Sequence, residues 1–594
     1  MPLLSITPED FAARDFDYLI LGGGTAGLAL AARLSEDPNV IVGVLEAGPN
    51  GLGDDTIDEP GKYNALKYDW KFETTPQQGL GGRSLAWPRG KVLGGSSALN
   101  LMTWNRASKE DYDAWEKLGN KGWGWDSLLP FFKRTEGFHL SKEEYQDDHQ
   151  VYSGGEAMGT QGPIHITRSK QYSETHELCH NTLNNLNIPE NKTHLSGSNV
   201  GVWKNLVSVH PESNTRSYAA SAYLEPNLSR QNLFVLTEAL VEEVIINQQS
   251  GQWTATGARF THSSNSFAVL ASREIILSTG SIQSPQLLEL SGIGNPQILE
   301  EAGIEVKVAN PNVGENLQDH LTTVTVCELD PSVEEMSPGP PGNPLCYLPL
   351  SIITAQDKVE RIVSKIERLE KYPPEQMAIL KGRFDSGIKL GHVEFLLEPG
   401  NWNSNFVPEP SNSKKYASIL QILQYPFSRG SIHIPGSRLS AKDRPTISDK
   451  PIIDPGYYSG AHGEIDLEIM TQSMRFTDKI FKTAPLSGVV LSKGTPSSSV
   501  NSDDELREWV VNNTSTDWHP VGTCAMGGGG GIHSGVVNDR LQVYGVERLR
   551  VVDASIMPLQ ISGHLQATVY TIAEKAADMI RMDNVERREA RGPN

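Results

Sequence analysis

The chain has 594 residues and a mass of 65.1 kDa, enough for roughly two to four domains' worth of core, or fewer if they interleave. Hydrophobic residues make up 38% and charged residues 21%, a globular balance that excludes a largely disordered or collagen-like chain. With 52 basic against 72 acidic residues the formal charge is −20, and no Lys/Arg-rich block interrupts it, so nucleic acid is not an expected partner. Cys179, Cys327, Cys346 and Cys524 are too few and too scattered for a disulfide framework or a cysteine metal site, and no metal is expected. No apolar run is long enough to span a membrane. The first sixteen residues lack a basic n-region and a long apolar core, so an intracellular protein is expected. A mature secreted chain with an added Met is the alternative.

In chain order, Phe16 to Leu21 reads as a short buried strand, Leu28 to Leu34 as a helix, and Val40 to Leu45 as a second strand ending at Glu46. Together they make a β-α-β unit of about thirty residues. Gly/Pro-rich loops run from Gly48 to Gly95, and Lys109 to Thr135 has helical spacing. Strands are expected at Ile164 to Ile166, Leu233 to Leu236, Val241 to Ile246, Trp253 to Phe260, Phe267 to Leu270 and Glu274 to Ser278. Ser332 to Pro344 is a Pro/Gly loop, followed by an amphipathic helix with Val359, Ile362, Val363, Ile366 and Leu369 on one face. Strand character returns at Ser418 to Leu423, Ser431 to Ile434 and Pro451 to Tyr458. Gly527 to Gly531 reads as a flexible turn, and a last helix spans Thr568 to Arg581.

Between the first strand and helix stands Gly22-Gly23-Gly24-Thr25-Ala26-Gly27, which fits G-x-G-x-x-G. Such glycines allow a tight turn, close approach of a pyrophosphate and helix-on-strand packing. The helix N-terminus then offers free N–H groups to the phosphates. Glu46 ends the next strand, where a carboxylate accepts ribose hydroxyls, and an acid there argues against a 2′-phosphate. The ligand is FAD or NAD, and this motif does not choose between them.

Two further glycine-bearing runs follow: Arg89 to Asn100 (RGKVLGGSSALN) and Gly280 to Gly294 (GSIQSPQLLELSGIG). They resemble the paired signatures of the glucose–methanol–choline (GMC) oxidoreductases. The resemblance continues through Val313 to His320 (VGENLQDH), Ser428 to Ile432, His519 to Thr523 (HPVGT), Val551 to Ser555 and Gly563-His564. It covers nearly the whole chain.

The resemblance implies FAD and an α/β (α+β overall) fold. A Rossmann-like FAD-binding domain is interleaved with a substrate domain built on a large antiparallel sheet flanked by helices. The expected division is 14–324, mainly FAD-binding; 325–510, mainly substrate-binding; and 511–594, the catalytic segment and return to the FAD domain. Carried over position by position, Gly22, Gly24, Thr25, Ala26 and Gly27 hold the pyrophosphate. Glu46 and Ala47 hold the adenosine ribose, and Val241 meets the adenine. Asn100, Leu101, Met102 and Thr103 lie along the isoalloxazine, Asp553 and Ala554 return to the diphosphate and ribitol, and Val92, Gly95 and Gln566 also bind the cofactor. Members that attach FAD covalently carry a His just before Asn100; here Leu99 stands there, so dissociable FAD is expected.

The resemblance also selects His519 and His564 from among 15 histidines. Hydride leaves an alcohol carbon only as its O–H proton is lost, and a neutral imidazole is suited to take it. A second polar group orients the oxygen. His519 is expected as the base and His564 as its orienting partner. Electrons then pass to O2 or a quinone-type acceptor.

Sugar-oxidising relatives carry an Arg at the position of Ser515, so glucose is disfavoured. Trp518 suits an aryl or allylic alcohol. The chain is similar to the fungal branch of secondary metabolism and aryl-alcohol oxidation, which includes patulin synthase and versicolorin B synthase. The alternative is a non-redox cyclase or lyase on the same flavoprotein scaffold. Oligomeric state is left open.

Overall fold

The computed structural model describes residues 6–62, 65–139, 157–168, 172–334, 343–369, 372–385, 387, 389–407, 414–436 and 444–591. Most of the expected loop at Ser332 to Pro344 lies outside the described residues. No helix among the described residues is long and apolar enough to cross a membrane.

The chain begins its core with β1 (Phe16–Leu21), α1 (Thr25–Leu34) and β2 (Val42–Leu45). The apolar run of β1 is buried on both faces, as a central parallel strand requires. β1 and β2 pair in parallel, Leu233–Leu236 joins beyond β2, and Asn265–Leu277 joins beyond β1. Leu240–Gln249, Gln252–His262 and Asn265–Leu277 form an antiparallel meander that extends this sheet. Leu549–Val551 returns from the far end of the sequence to pair in parallel with Asn265–Leu277. Phe267 to Leu270 and Glu274 to Ser278, expected as two strands, are one continuous strand through Leu277. The intervening Ala271, Ser272 and Arg273 stay extended, and there the strand passes, through a register irregularity, from its antiparallel partner Gln252–His262 to its parallel partner β1.

The second sheet also has seven strands, all antiparallel. Its order is Val490–Thr495, Leu321–Leu329, Lys415–Leu423, Val393–Pro399, Pro344–Leu348 and Gly201–Lys204, with Ser515–Thr516 on the start of Leu321–Leu329. The amphipathic segment forms a helix, Gln356–Ile366, with Val359, Ile362 and Ile366 buried. It packs on the long helix Gly460–Phe481, where Arg361 and Lys365 both pair with Glu468.

The last helix starts at Gln566, ahead of the expected Thr568, and lies against α1. Arg33 of α1 pairs with the buried Glu574 of that helix at 2.9 Å. Gly527 to Gly531 is not a free turn. Gly528–His533 is a 3₁₀ segment, anchored where Gly528 N–H donates to Asn120 and Gly529 N–H to the Leu118 carbonyl.

Candidate active site

The first glycine turn is shaped by close approach. A Cβ on Gly22, which has φ +104°, would sit 2.6 Å from the Ser278 carbonyl. One on Gly27 would sit 1.9 Å from the Gly22 carbonyl. Only glycine fits at either place. The second glycine loop touches the first: Gly94 N–H donates to the Gly23 carbonyl at 2.8 Å, and a Cβ on Gly95 would lie 2.8 Å from Gly24 Cα.

Gly24 caps α1 with no side-chain hydrogen bond, so the N–H groups of its first turn remain for an anion. The Ser278 hydroxyl beneath this turn is buried without a hydrogen-bond partner. A cradle that a Cβ would fill, free helix N–H groups and an orphaned hydroxyl fit a dinucleotide pyrophosphate.

Glu46 receives N–H donors from Gly23 and Gly48, both at 2.8 Å, while burial pushes its carboxyl up to about 7. Ala47 lies between these anchors. The Gly48 carbonyl accepts from Glu238 and the Glu46 carbonyl from Ala239, which brings Val241 beside this corner. Val92 is buried against Gly48 and Gly51.

Asn100 is pinned from three sides: Met102 N–H and Arg216 donate to its Oδ1 at 3.1 and 2.8 Å, and its amide donates to Gln566 at 3.1 Å. Gln566 in turn donates to the Thr103 carbonyl at 2.6 Å. Leu101, Met102 and Thr103 are thereby fixed as a strip of backbone, with Met102 at φ +64°. Arg216 was not among the sequence-predicted residues; nothing in its local sequence marks it.

The Asp553 carboxylate accepts from Gly280 N–H, Ser284, Ser555 N–H and the Ser555 hydroxyl, which fixes its turn against the N-terminus of the helix Gly280–Leu290. Ala554 follows it, half-buried, in a 3₁₀ turn.

His519 and His564 come together with ring centroids 5.0 Å apart and planes at 89°. His519 stands on a segment running antiparallel to the Gln318-Asp319-His320 motif. Asp517 N–H donates to the His320 carbonyl at 2.9 Å, and Gln318 and Val521 exchange backbone bonds. His519 N–H donates to Asp319 Oδ1 at 2.7 Å, and its carbonyl accepts from Gln560 at 2.8 Å. Tyr457 and Thr516 donate to the other oxygen of Asp319.

The preceding Trp518 has φ +58°, a strained state for a bulky residue. It is held there by its N–H to Thr516 at 2.8 Å and by Arg89, which donates to its carbonyl at 2.6 Å. Trp518 is 40% exposed, next in the chain to His519.

The hydrogen bonds assign the His519 tautomer. His320 is buried, and burial holds its pKa well below the usual histidine range, so it is neutral. Its Nε2 lies 2.9 Å from the Ile561 carbonyl, which only accepts, so Nε2 carries the proton and Nδ1 is an acceptor. His519 Nδ1, 3.0 Å away, is therefore the donor. This leaves a lone pair on His519 Nε2. Burial and the neighbouring His564 and Arg89 hold the His519 pKa well below its usual value, which keeps that lone pair free.

His564 is the opposite case. Burial pulls its pKa down, but the Glu394 carboxylate, 3.2 Å from Nε2, outweighs that and pushes it up to about 9. His564 Nδ1 has no partner among the described residues. Its backbone is set by N–H donation to Asn105, which also donates to Tyr347 at 2.8 Å. Glu394, Asp319, His320 and Asp517 were missed as site residues. Asp319 and His320 end the VGENLQDH motif; Glu394 has no local signal.

A glycine cradle heading a β-α-β unit, joined to one neutral and one cationic histidine, defines a nucleotide-cofactor oxidoreductase. The N-terminal GMC oxidoreductase family model matches residues 16–322 and the C-terminal model residues 426–573. The dehydrogenase mpl7 of Monascus purpureus is 36% identical over 97% of each chain. A solved FAD-dependent oxidoreductase from Chaetomium thermophilum superposes with a TM-score of 0.84 at 28% identity, covering 96% of this chain and 99% of that one. A fungal aryl-alcohol oxidase gives 0.81 at 26%, with 96% and 99% covered. The chain belongs to the GMC oxidoreductase family, and that family implies FAD as its cofactor.

Proposed function

We propose that this enzyme oxidises the CH–OH group of a small alcohol, with His519 as the general base and His564 as the group that holds the alcohol oxygen. The observation that carries this reading is the opposed charge state of the pair: a lone pair on His519 Nε2 beside an imidazolium at His564. His564 Nδ1–H donates to the alcohol oxygen and stabilises the alkoxide as it forms. His519 Nε2 receives the hydroxyl proton. Perpendicular rings let both nitrogens reach one oxygen, which fixes the carbon it bears. When bound, FAD supplies the hydride acceptor.

Gly22, Gly24, Thr25, Ala26 and Gly27 would hold its pyrophosphate. Glu46, Ala47 and Val241 would hold its adenosine end, and Val92, Gly95, Asn100 to Thr103, Asp553, Ala554 and Gln566 the remainder. Leu99 carries no nucleophile, which supports non-covalent attachment. The division into 14–324, 325–510 and 511–594 is supported by the two sheets, with Gly201–Lys204 crossing into the second.

Exposed Trp518 and the likeness to a solved aryl-alcohol oxidase support an aryl or allylic alcohol, with O2 or a quinone-type molecule as final acceptor. The test is anaerobic bleaching of the purified yellow protein by benzylic and allylic alcohols, hydroxymethylfurans, glucose and short alkanols. Rapid bleaching by the benzylic or allylic group is expected, and readmitted air then separates oxidase from dehydrogenase. A flavin that dithionite reduces but no alcohol bleaches would overturn this reading in favour of cyclase or lyase chemistry.

A further inference from the structure

We infer that His320, Asp517 and His519 form a binding site for one late first-row divalent cation, such as Zn2+, and that an ion there silences the base. The silencing rests on the role proposed for His519; the site itself does not.

His320 Nδ1, His519 Nδ1 and an Asp517 carboxylate oxygen all lie within 4.8 Å of one another. The two imidazole nitrogens are 3.0 Å apart, and the Asp517 oxygen is 3.1 Å from His519 Nδ1. A tetrahedral ion with bonds of about 2.0–2.1 Å spreads its ligands about 3.3 Å apart, so both contacts of His519 Nδ1 would widen slightly and the third pair already lies within 4.8 Å. Two imidazoles and one carboxylate select Zn2+, Ni2+, Co2+ or Cu2+ over Mg2+ and Ca2+, which take oxygen shells.

Two further features point the same way. Asp517 Oδ2 is buried and, apart from its 3.1 Å approach to His519 Nδ1, makes no hydrogen bond, which leaves it able to take a cation. The outer support is in place: His320 Nε2–H donates to the Ile561 carbonyl, which fixes its tautomer and leaves its Nδ1 lone pair facing His519. The backbone ladder from His320 to Asp517 and the Asp319 bond to His519 N–H hold all three residues in register. Counting cysteines in the sequence could not reveal a set made of histidines and an acid from segments nearly two hundred residues apart.

Occupancy changes the tautomer of His519. A neutral imidazole bound through Nδ1 carries its proton on Nε2. The proton now on Nδ1 moves through solvent to Nε2, Asp517 gives up any proton it holds, and no other bond forms or breaks. Nε2 then has no lone pair to receive the alcohol proton.

The experiment is equilibrium dialysis of the FAD-loaded enzyme with Zn2+, run beside turnover at the same ion concentrations. One ion per chain is expected, with half-inhibition at the dissociation constant, no effect of Mg2+ or Ca2+, and recovery with a chelator. Asp517→Asn and His320→Asn should each weaken binding by about tenfold or more. His165→Asn should not; it removes a member of the separate cluster in which His139 Nε2 and His165 Nδ1 already bond at 2.7 Å. X-ray absorption of Zn2+-loaded wild-type enzyme should give two imidazole nitrogens and one carboxylate, and it decides the matter if a variant fails to fold. Absence of binding, binding undiminished in both variants, or a shell without imidazole overturns the site. Binding as expected with turnover untouched overturns His519 as the base, not the site.

Discussion

The cradle and the histidine site lie in one protein but are built from different materials. The cradle is backbone: at Gly22, Gly27 and Gly95 main chains approach so closely that a Cβ would clash, and helix N–H groups face outward. The histidine site is side chain: burial and neighbouring charges move the protonation of His519, His564, His320, Asp319 and Asp517, with the Glu394 carboxylate beside His564. A backbone site tolerates no added atom, whereas a side-chain site keeps its shape and loses chemistry when one charge is removed.

That contrast orders the expected effects. His519→Ala should slow substrate bleaching of the flavin by about 10²–10⁴-fold while the protein stays yellow, as read by anaerobic stopped flow. Bleaching at the wild-type rate would break the assignment. Gly27→Ala should do the reverse. A methyl 1.9 Å from the Gly22 carbonyl costs on the order of 3 kcal/mol and strips flavin, read from the flavin-to-protein absorbance ratio and the melting temperature.

Glu394→Gln removes the counter-charge from His564 and should lower kcat by roughly tenfold to a hundredfold with flavin content unchanged. An unchanged kcat would mean that the imidazolium is not used.

The smallest expected effect is structural and pH-dependent. His433, between Glu289 at 2.7 Å and Glu315 at 3.2 Å, is pushed up to about 9. A folded-state pKa above the unfolded value stabilises fully below about pH 6.5 and is lost as pH rises through 9. The melting temperature should fall on the order of 1–2 °C more across that window in wild type than in His433→Gln.

The cradle was legible because its parts are local. Gly22 to Gly27 and Glu46 sit in one β-α-β unit, and their spacing reflects sterics inside that unit. His519 and His564 were reached through family motifs, not spacing. Their partners were not reached, because Glu394 sits within an ordinary strand, Val393–Pro399, whose neighbours give no sign that one carboxylate faces a histidine from residue 564.

By itself the sequence determined the first β-α-β unit, the glycine turn, the amphipathic helix and, through its motifs, membership of an oxidoreductase family. These depend on conformational limits and periodicity within a few tens of residues. Only the tertiary structure decided that burial holds His519 neutral with its lone pair on Nε2, that Glu394 pushes His564 toward its cationic form, and that burial pushes the Asp517 carboxyl up beside them. Those states are electrostatic, and they exist only once folding has removed water and brought together groups that are far apart along the chain.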